Sequence, residues 1–178
     1  MPILCRVTRG DLTESIHVVF AVAVDETGTV FYSTGDPYYL TCIRSSLKPF
    51  QAAAAVKAGA VDAAGFSDDE LAMMCASHNG EDIHVKTVQS MLNKLGLSTA
   101  DLECGSHFPS DKITRHKMIK EGKVAESIHN NCSGKHAGML ALAKHLEQGI
   151  KGYIQKEHPV QKEIFNLLHE LTGLKNIP

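Results

Sequence analysis

A serine and a lysine lie three positions apart where an apolar helix is predicted to begin. Ser45 and Lys48 occur in the stretch RSSLKPFQAAAAVKAGA, and residues three apart on a helix share a face, so their side chains are expected within hydrogen-bond reach. The lysine would act as the base and the serine as the nucleophile. Burial in the apolar run after Pro49 would favour the neutral amine, and N–H groups of the first turn would hold an oxyanion. The alternative is an N-cap serine followed by a solvated lysine.

A second polar cluster, CASHNGED, covers residues 75–82 and follows a predicted apolar helix. Ser77, His78 and Asn79 precede Gly80 there, and polar residues in a loop at the end of a helix often serve binding or catalysis. The alternative is a helix C-cap followed by a turn, since glycine supplies the positive φ that ends many helices. The spacing alone leaves both interpretations open.

A third cluster, HNNCSGKHAGML, covers residues 129–140. A phosphate loop of the form G-x-x-x-x-G-K-S/T is excluded, because His129 and His136 stand where glycine and a hydroxyl residue are needed. Cys132 and Lys135 have the spacing of a C-x-x-C pair, so a thiolate and an amine could bind one metal ion. Ligation by lysine is unusual because the metal must displace a proton. A buried free cysteine beside a glycine-rich helix start is the alternative.

Hydrophobic patterning predicts an α+β fold in which antiparallel β-strands precede a mainly helical region. Strands rich in Val, Ile, Phe and Tyr are predicted at residues 3–8, 16–24 and 29–33, and DETG between the last two is predicted to form a hairpin turn. One helix is expected to begin at a capping box of Ser67 and Glu70. Helical periodicity also covers residues 46–59, 82–95, 111–121, 135–147 and 158–172.

The predicted strands lie within residues 1–40 and the predicted helices within 41–178, either as one domain or as the N-terminal portion of one. Two or three antiparallel strands rarely form a stable sheet alone. The imbalance between strands and helices therefore predicts further strands beyond Pro178.

Composition limits the classes of partner. The 178 residues are 43% hydrophobic with a formal net charge of −2, which suits a soluble domain with a real core. Lysines are interleaved with acids, so the basic stripe that nucleic-acid binding requires is missing. No apolar run approaches the ~20 residues that span a bilayer, and the start resembles no signal peptide. Five cysteines without a C-x-x-C pair indicate reduced thiols. A cytoplasmic protein is expected.

Four motifs occur in order along the chain: RSSLKPFQA, CASHNGE, LECGSHFPSD and NNCSGKHAGMLA. Together they resemble the rhizobial-type L-asparaginases, often described as L-asparaginase II, whose fold is similar to that of serine β-lactamases and penicillin-binding proteins. The resemblance implies hydrolysis of L-asparagine to L-aspartate and ammonia. Ser45 matches the family's nucleophile and Lys48 its partner base, while Ser77 matches the serine of a second Ser-Lys pair.

The resemblance also implies a zinc site and a substrate pocket. Cys132 and Lys135 match two ligands of an unusual zinc site, which another cysteine and a water molecule complete. Arg44, Asn79 and His136 match residues near the substrate pocket. Zinc and L-asparagine are therefore the expected cofactor and substrate.

Family members are longer than this chain. The resemblance places the further zinc cysteine, a pocket aspartate and the lysine that pairs with Ser77 beyond Pro178, and it implies that the sheet is incomplete at the C-terminus. The chain is thus expected to be an N-terminal half. Exposed sheet edges in such a half favour association, so a homo-oligomer or a complex with the missing half is predicted.

Two alternative functions stay open at this point. A half-length chain could be a non-catalytic module that binds an amino acid or a metal, or that pairs with a partner chain. A penicillin-recognising serine hydrolase would share the S-x-x-K arrangement, but neither K-T-G nor S-D-N occurs in the sequence.

Overall fold

The computed structural model describes residues 3–174, in two compact units that divide between Ile43 and Arg44. Residues 1–2 and 175–178 lie outside the described part, and the expected strands beyond the chain's end stay a prediction. Within the described part the predicted α+β class is confirmed, because two small antiparallel sheets precede seven α-helices.

The first unit consists of two β-hairpins. Strand β1 (Ile3–Arg9) pairs with β2 (Leu12–Val19), and β3 (Ala21–Val24) pairs with β4 (Val30–Thr34). The DETG turn is confirmed between β3 and β4. Its aspartate stabilises it, because one carboxylate oxygen of Asp25 accepts hydrogen bonds of 2.9 Å from two backbone N–H groups of the turn.

The predicted strand at 16–24 was wrong in extent. The structure divides it at Phe20 into β2 and β3, and it begins β2 earlier, at Leu12. The reason is local, since Gly10 adopts a φ of 57° and forms a two-residue turn with Asp11, so that Arg9 pairs directly with Leu12. The prediction overlooked this glycine turn.

The strands contribute little to the hydrophobic core. Leu12 is 77% exposed and Phe31 is 71% exposed, while Thr34 is the one buried strand residue within the described part. Apolar side chains lie exposed along both hairpins, which is uncommon for a protein surface on its own. The core therefore lies in the second unit.

The second unit is helical. A 3₁₀ turn (Arg44–Leu47) leads into the helices, and Ser67 and Glu70 form the predicted capping box, with Glu70 accepting from the Ser67 N–H at 2.8 Å. The helices are α1 (Lys48–Lys57), α2 (Ala60–Ala63), α3 (Asp68–Cys75), α4 (Asp82–Leu95), α5 (Lys112–Lys120), α6 (Ser133–His145) and α7 (Pro159–Thr172). Along the part of the chain that the structure describes, none of them is long and apolar enough to cross a membrane.

Helix α6 is the centre of this unit. Most of its residues are buried, and it packs against α1, α2, α3, α4 and α7. Gly134 and Gly138 let it approach α3 closely, because a Cβ at either position would overlap atoms of Met73 or Met74. The first turn of α6 is thereby held against the end of α3 and the start of α1, where the candidate catalytic residues lie.

Candidate active site

Lys48 is the buried hub of the candidate site. It is the first residue of α1 and is only 3% exposed. Its Nζ donates hydrogen bonds to the Ala76 carbonyl at 2.7 Å, to the Ser77 hydroxyl at 2.7 Å and to the Asn131 carbonyl at 3.5 Å. These acceptors come from the segment after α3 and from the segment before α6. Lys48 thus joins three parts of the helical unit.

This arrangement accommodates both protonation states of the amine. An ammonium group has three N–H donors, and all three acceptors can take one. A neutral amine has two N–H donors and one lone pair, so the two backbone carbonyls can take the donors while the lone pair faces Ser77 Oγ. Lys48 can therefore receive a proton from Ser77 and return it without a change of partners.

Ser45 lies at the surface, three residues before the buried Lys48. It is exposed in the 3₁₀ turn, and within residues 3–174 the structure records no hydrogen bond between Ser45 and Lys48. The predicted Ser45–Lys48 hydrogen bond is corrected, because the Lys48 amine is buried and donates instead to the Ala76 and Asn131 carbonyls and to the Ser77 hydroxyl. Arg44, the residue before Ser45, is exposed and has a left-handed φ of 51°, which is uncommon for a residue other than glycine.

Ser77 is exposed, so its hydroxyl is accessible to a substrate, and the buried His78 anchors its loop. His78 Nδ1 accepts from the Gly80 N–H at 3.1 Å, and Nε2 must therefore be the donor toward Ser133 Oγ at 2.8 Å. Ser133 in turn donates to a backbone carbonyl at 2.9 Å.

Burial, together with His84, Lys48 and other nearby basic side chains, lowers the pKa of His78 to about 4, so the ring is neutral at neutral pH.

Asn131 connects the Ser77 loop with the start of α6. Its backbone carbonyl accepts from the His78 N–H at 3.2 Å and from Lys48 at 3.5 Å. Asn79, predicted to line the pocket, is exposed two residues after Ser77, and its carbonyl accepts from the Asp111 N–H at 3.1 Å. The Ser77 loop is therefore held on both sides by backbone hydrogen bonds.

Cys132 and Lys135 lie at the first turn of α6, and both are half-buried. Burial lowers the pKa of the Lys135 amine, while the nearby Cys132 opposes this shift and Lys48 adds to it. Cys104 is a further neighbour, since burial raises the pKa of its thiol to about 11 and both Cys132 and Lys135 influence it. The predicted ligands are thus one thiol, of Cys132, and one amine, of Lys135.

The metal prediction fits these residues only in part. Among the described residues, no group of three or more His, Cys, Asp or Glu side chains could hold a metal ion. Thiols and an amine are donors of the kind that zinc accepts. Cys132 and Lys135 alone supply two donors, fewer than the four of a structural site.

Asn130 holds the two cysteine segments together. Its side-chain amide donates to the Cys104 carbonyl at 2.7 Å, and its side-chain oxygen accepts from the Cys132 N–H at 2.8 Å. Asn130 is buried, so this clamp is shielded from water. Asn130 and Cys104 were not among the predicted site residues, although NNCSGKH and LECGSHF contain them.

His136 is buried in α6 directly after Lys135. Its Nδ1 lies 2.8 Å from the hydroxyl of Tyr153, and the two rings meet edge to face with centroids 5.6 Å apart. Burial lowers the pKa of His136 to about 3, and the positive charges of Lys135 and Lys48 contribute. Lys48 therefore lies within electrostatic range of both His136 and Lys135.

A separate cavity of about 620 Å³ lies between α4, α5 and the segment before α6. Its lining includes Lys117, Glu121, Lys123 and Glu126, which are charges of both signs. None of the predicted catalytic, pocket or metal-binding residues lines it. The hydrogen-bonded cluster around Lys48 is the better candidate for chemistry, because it joins a buried amine to an accessible hydroxyl.

Comparison with known proteins identifies a family. The family model described as L-asparaginase II matches residues 5–177, almost the whole chain. Among curated proteins no match to the chain is found. A family match of this extent, over the residues that form the Lys48 cluster, shows that the chain belongs to the L-asparaginase II family.

Proposed function

We propose that this protein hydrolyses the side-chain amide of L-asparagine to L-aspartate and ammonia through an acyl-enzyme. The observation that carries the proposal is the 2.7 Å contact between Lys48 Nζ and Ser77 Oγ, in a chain of the L-asparaginase II family. A buried lysine beside an accessible serine is an arrangement that activates a hydroxyl nucleophile.

In the first step, Ser77 Oγ attacks the side-chain amide carbon while Lys48 takes the hydroxyl proton. The C–N bond then breaks, and Lys48 passes this proton to the leaving nitrogen, so that ammonia departs. In the second step, water attacks the aspartyl ester and gives a proton to Lys48. The proton returns to Ser77 Oγ as the ester bond breaks, and aspartate leaves.

Ser45 is the second candidate nucleophile. The family resemblance assigns it this role, and the left-handed φ of 51° at Arg44 is an uncommon backbone conformation directly beside it. Such conformations occur preferentially at functional sites. Attack by Ser45 would require Lys48 to exchange its Ser77 hydrogen bond for one to Ser45.

The two nucleophiles are distinguished by trapping the acyl-enzyme. Ammonia release from asparagine is measured for the wild type, Ser45→Ala, Ser77→Ala and Lys48→Ala, with Ser46→Ala as the matched control in the same exposed turn. Loss of the base is expected to lower kcat by about 10²- to 10⁴-fold. Acid-quenched protein is then digested, and an aspartyl adduct is expected on the peptide that contains Ser77.

An adduct on the Ser45 peptide would transfer the nucleophile role to that residue. An undiminished rate in both serine variants would reject the acyl-enzyme. Asparagine binding without turnover by folded wild-type protein would instead favour the non-catalytic binding module.

Three polar residues are proposed to bind the substrate. Arg44 is exposed directly before Ser45, and a guanidinium is suited to bidentate pairing with the substrate α-carboxylate. Asn79 is exposed in the Ser77 loop and offers an amide. His136 lies within electrostatic range of Lys48. Replacement of Arg44 by Lys is expected to raise KM for asparagine, since the bidentate contact is lost.

Zinc is proposed as a cofactor held by Cys132 and Lys135. When bound, it would supply a positive charge that orients or polarises substrate groups, and none of the proton transfers above depends on it. Metal analysis of the purified protein tests this, with Cys132→Ser expected to lose the metal. The control Cys42→Ser, an exposed thiol in the other unit, is expected to retain it.

Self-association and a cytoplasmic location are also proposed. All five cysteines are free thiols, as is usual in a reducing compartment. The exposed apolar side chains of the hairpins favour pairing with a second copy of the chain. Sedimentation is expected to show association that Phe31→Ser weakens, whereas the control Ile113→Ser, 80% exposed on α5, leaves it unchanged.

A further inference from the structure

Tyr153 is a fully buried tyrosine in the segment before α7, and its hydroxyl lies between two polar groups. The Glu103 N–H donates to the hydroxyl oxygen at 2.7 Å, and His136 Nδ1 lies 2.8 Å from the same oxygen. The segment is held firmly, because the Glu103 carboxylate accepts from the Gly152 N–H at 2.8 Å and Gln161 donates to the Tyr153 carbonyl at 2.8 Å.

The number of hydrogens available determines which group donates in each of the two hydrogen bonds at the Tyr153 hydroxyl. A backbone N–H can only donate, so the Tyr153 oxygen accepts from Glu103. The hydroxyl has a single hydrogen, and within residues 3–174 its other partner is His136 Nδ1. A proton on Nδ1 would leave the buried hydroxyl hydrogen without an acceptor, which is costly. Nδ1 is therefore the acceptor, and the ring proton is on Nε2.

The second ring nitrogen has a different environment. Among the residues that the structure describes, His136 Nε2 has no recorded hydrogen-bond partner. No buried side-chain nitrogen or oxygen in this part of the chain lacks a partner, so Nε2 must still be in contact with solvent although the residue is only 5% exposed. The hydrogen bond at Nδ1 holds the ring in place, and the Nε2–H group is available to donate to a ligand.

We propose that Tyr153 is a positioning residue that fixes His136 as the Nε2–H tautomer, so that the ring donates one hydrogen bond to an oxygen of the bound substrate. The part that concerns the substrate rests on the proposed asparaginase function. The tautomer itself follows from the hydrogen bonds of Tyr153 alone. Tyr153 touches no reacting atom and acts through His136.

The tautomer is measured by nitrogen NMR of protein labelled with ¹⁵N-histidine, in which loss of signals in His136→Gln assigns the ring. The wild type is expected to show a protonated Nε2 and an acceptor Nδ1. Tyr153→Phe is expected to show a mixture of tautomers, whereas the control Tyr38→Phe, an 81% exposed tyrosine, leaves the signals unchanged. A protonated Nδ1 in the wild type would overturn the proposal, whatever the variant does.

Kinetics test the connection to the substrate. Tyr153→Phe is expected to raise KM for asparagine by roughly 2- to 12-fold, the range for loss of one neutral hydrogen bond, with a smaller change in kcat. His136→Gln keeps an amide donor near the position of Nε2. In that background the tyrosine substitution is expected to have no further effect on KM, because no tautomer remains to be selected.

The two failures can be told apart. If the wild type turns over no asparagine but its ring has the Nε2–H tautomer, the positioning role stands and the proposed function fails. If asparagine is hydrolysed and Tyr153→Phe raises KM equally in the wild type and in the His136→Gln variant, the positioning role through His136 fails and the proposed function stands.

Discussion

Replacing Gly134 by alanine tests how closely α6 must approach α3. A Cβ at this position would overlap the Met73 carbonyl oxygen and lie 2.5 Å from Met73 Cγ and 2.9 Å from its carbonyl carbon. Two of these atoms belong to the backbone, so rotation of the methionine side chain cannot relieve the overlap. The helices must separate, and Met73 lies only three residues before Ala76, which accepts a hydrogen bond from Lys48.

The magnitude follows from two opposing effects. Overpacking a tight contact costs about 1–3 kcal/mol, and a backbone clash belongs at the upper end. Alanine is favoured over glycine in a helix by at most about 1 kcal/mol. The net loss for Gly134→Ala is then about 2 kcal/mol. For a chain of this length that corresponds to a Tm lower by about 4–8 °C.

The assay is thermal unfolding followed by circular dichroism, with two graded controls. Gly138→Ala is expected to lose less, because the overlap there is with the flexible side chain of Met74, whose Cε would lie 2.5 Å from the new Cβ. Gly149→Ala meets no atom within 4 Å, so its Tm is expected to stay within about 1 °C of the wild type. Equal Tm values for Gly134→Ala and Gly149→Ala would refute the close-packing argument.

Two further predictions concern buried charge. The pKa of His78 is about 4 in the folded protein, below the ordinary value of about 6.5, so the unfolded chain takes up this proton first. The contribution of His78 to the free energy of unfolding is therefore present above pH ~6.5 and is lost as pH falls toward 4, at up to about 1.4 kcal/mol per pH unit. Urea unfolding at a series of pH values is expected to show a shallower decrease of this free energy in His78→Gln than in the wild type. Equal decreases in the two proteins would contradict this. Lys94 donates at 2.6 Å to the buried carboxylate of Glu70. Lys94→Met is therefore expected to lower the free energy of unfolding by about 1–2 kcal/mol, which is less than for a fully buried ion pair because Lys94 itself is partly exposed. Lys57→Met, which breaks an exposed ion pair, is expected to cost less than about 1 kcal/mol in the same denaturation assay, and an equal loss in both variants would argue against the burial effect.

Features with a local cause could be predicted from the sequence. Helix α4 occupies residues 82–95 as predicted, since its apolar residues recur at helical spacing and Gly96 ends it with a φ of 65°. The capping box of Ser67 and Glu70 needs only residues three apart. Short elements were harder, because the four residues of α2 are too few to show a period.

The hydrogen bonds of the candidate site differ from those that the motifs predicted. Lys48 was expected to form a hydrogen bond with Ser45, three positions away, whereas the hydroxyl that it contacts is that of Ser77, 29 residues away. No sequence pattern singled out Tyr153, because its contact with His136 spans 17 residues and depends on where α6 packs. The catalytic, pocket and metal roles of these residues stay predictions that the experiments above test.

The sequence by itself determined the helical periods, the caps and the turn glycines, because each depends on hydrogen bonds between residues a few positions apart. Only the tertiary structure decided which hydroxyl Lys48 faces. A buried amine must find acceptors for its N–H groups. Those acceptors, the carbonyls of Ala76 and Asn131, reach Lys48 only when α3 and α6 pack against α1.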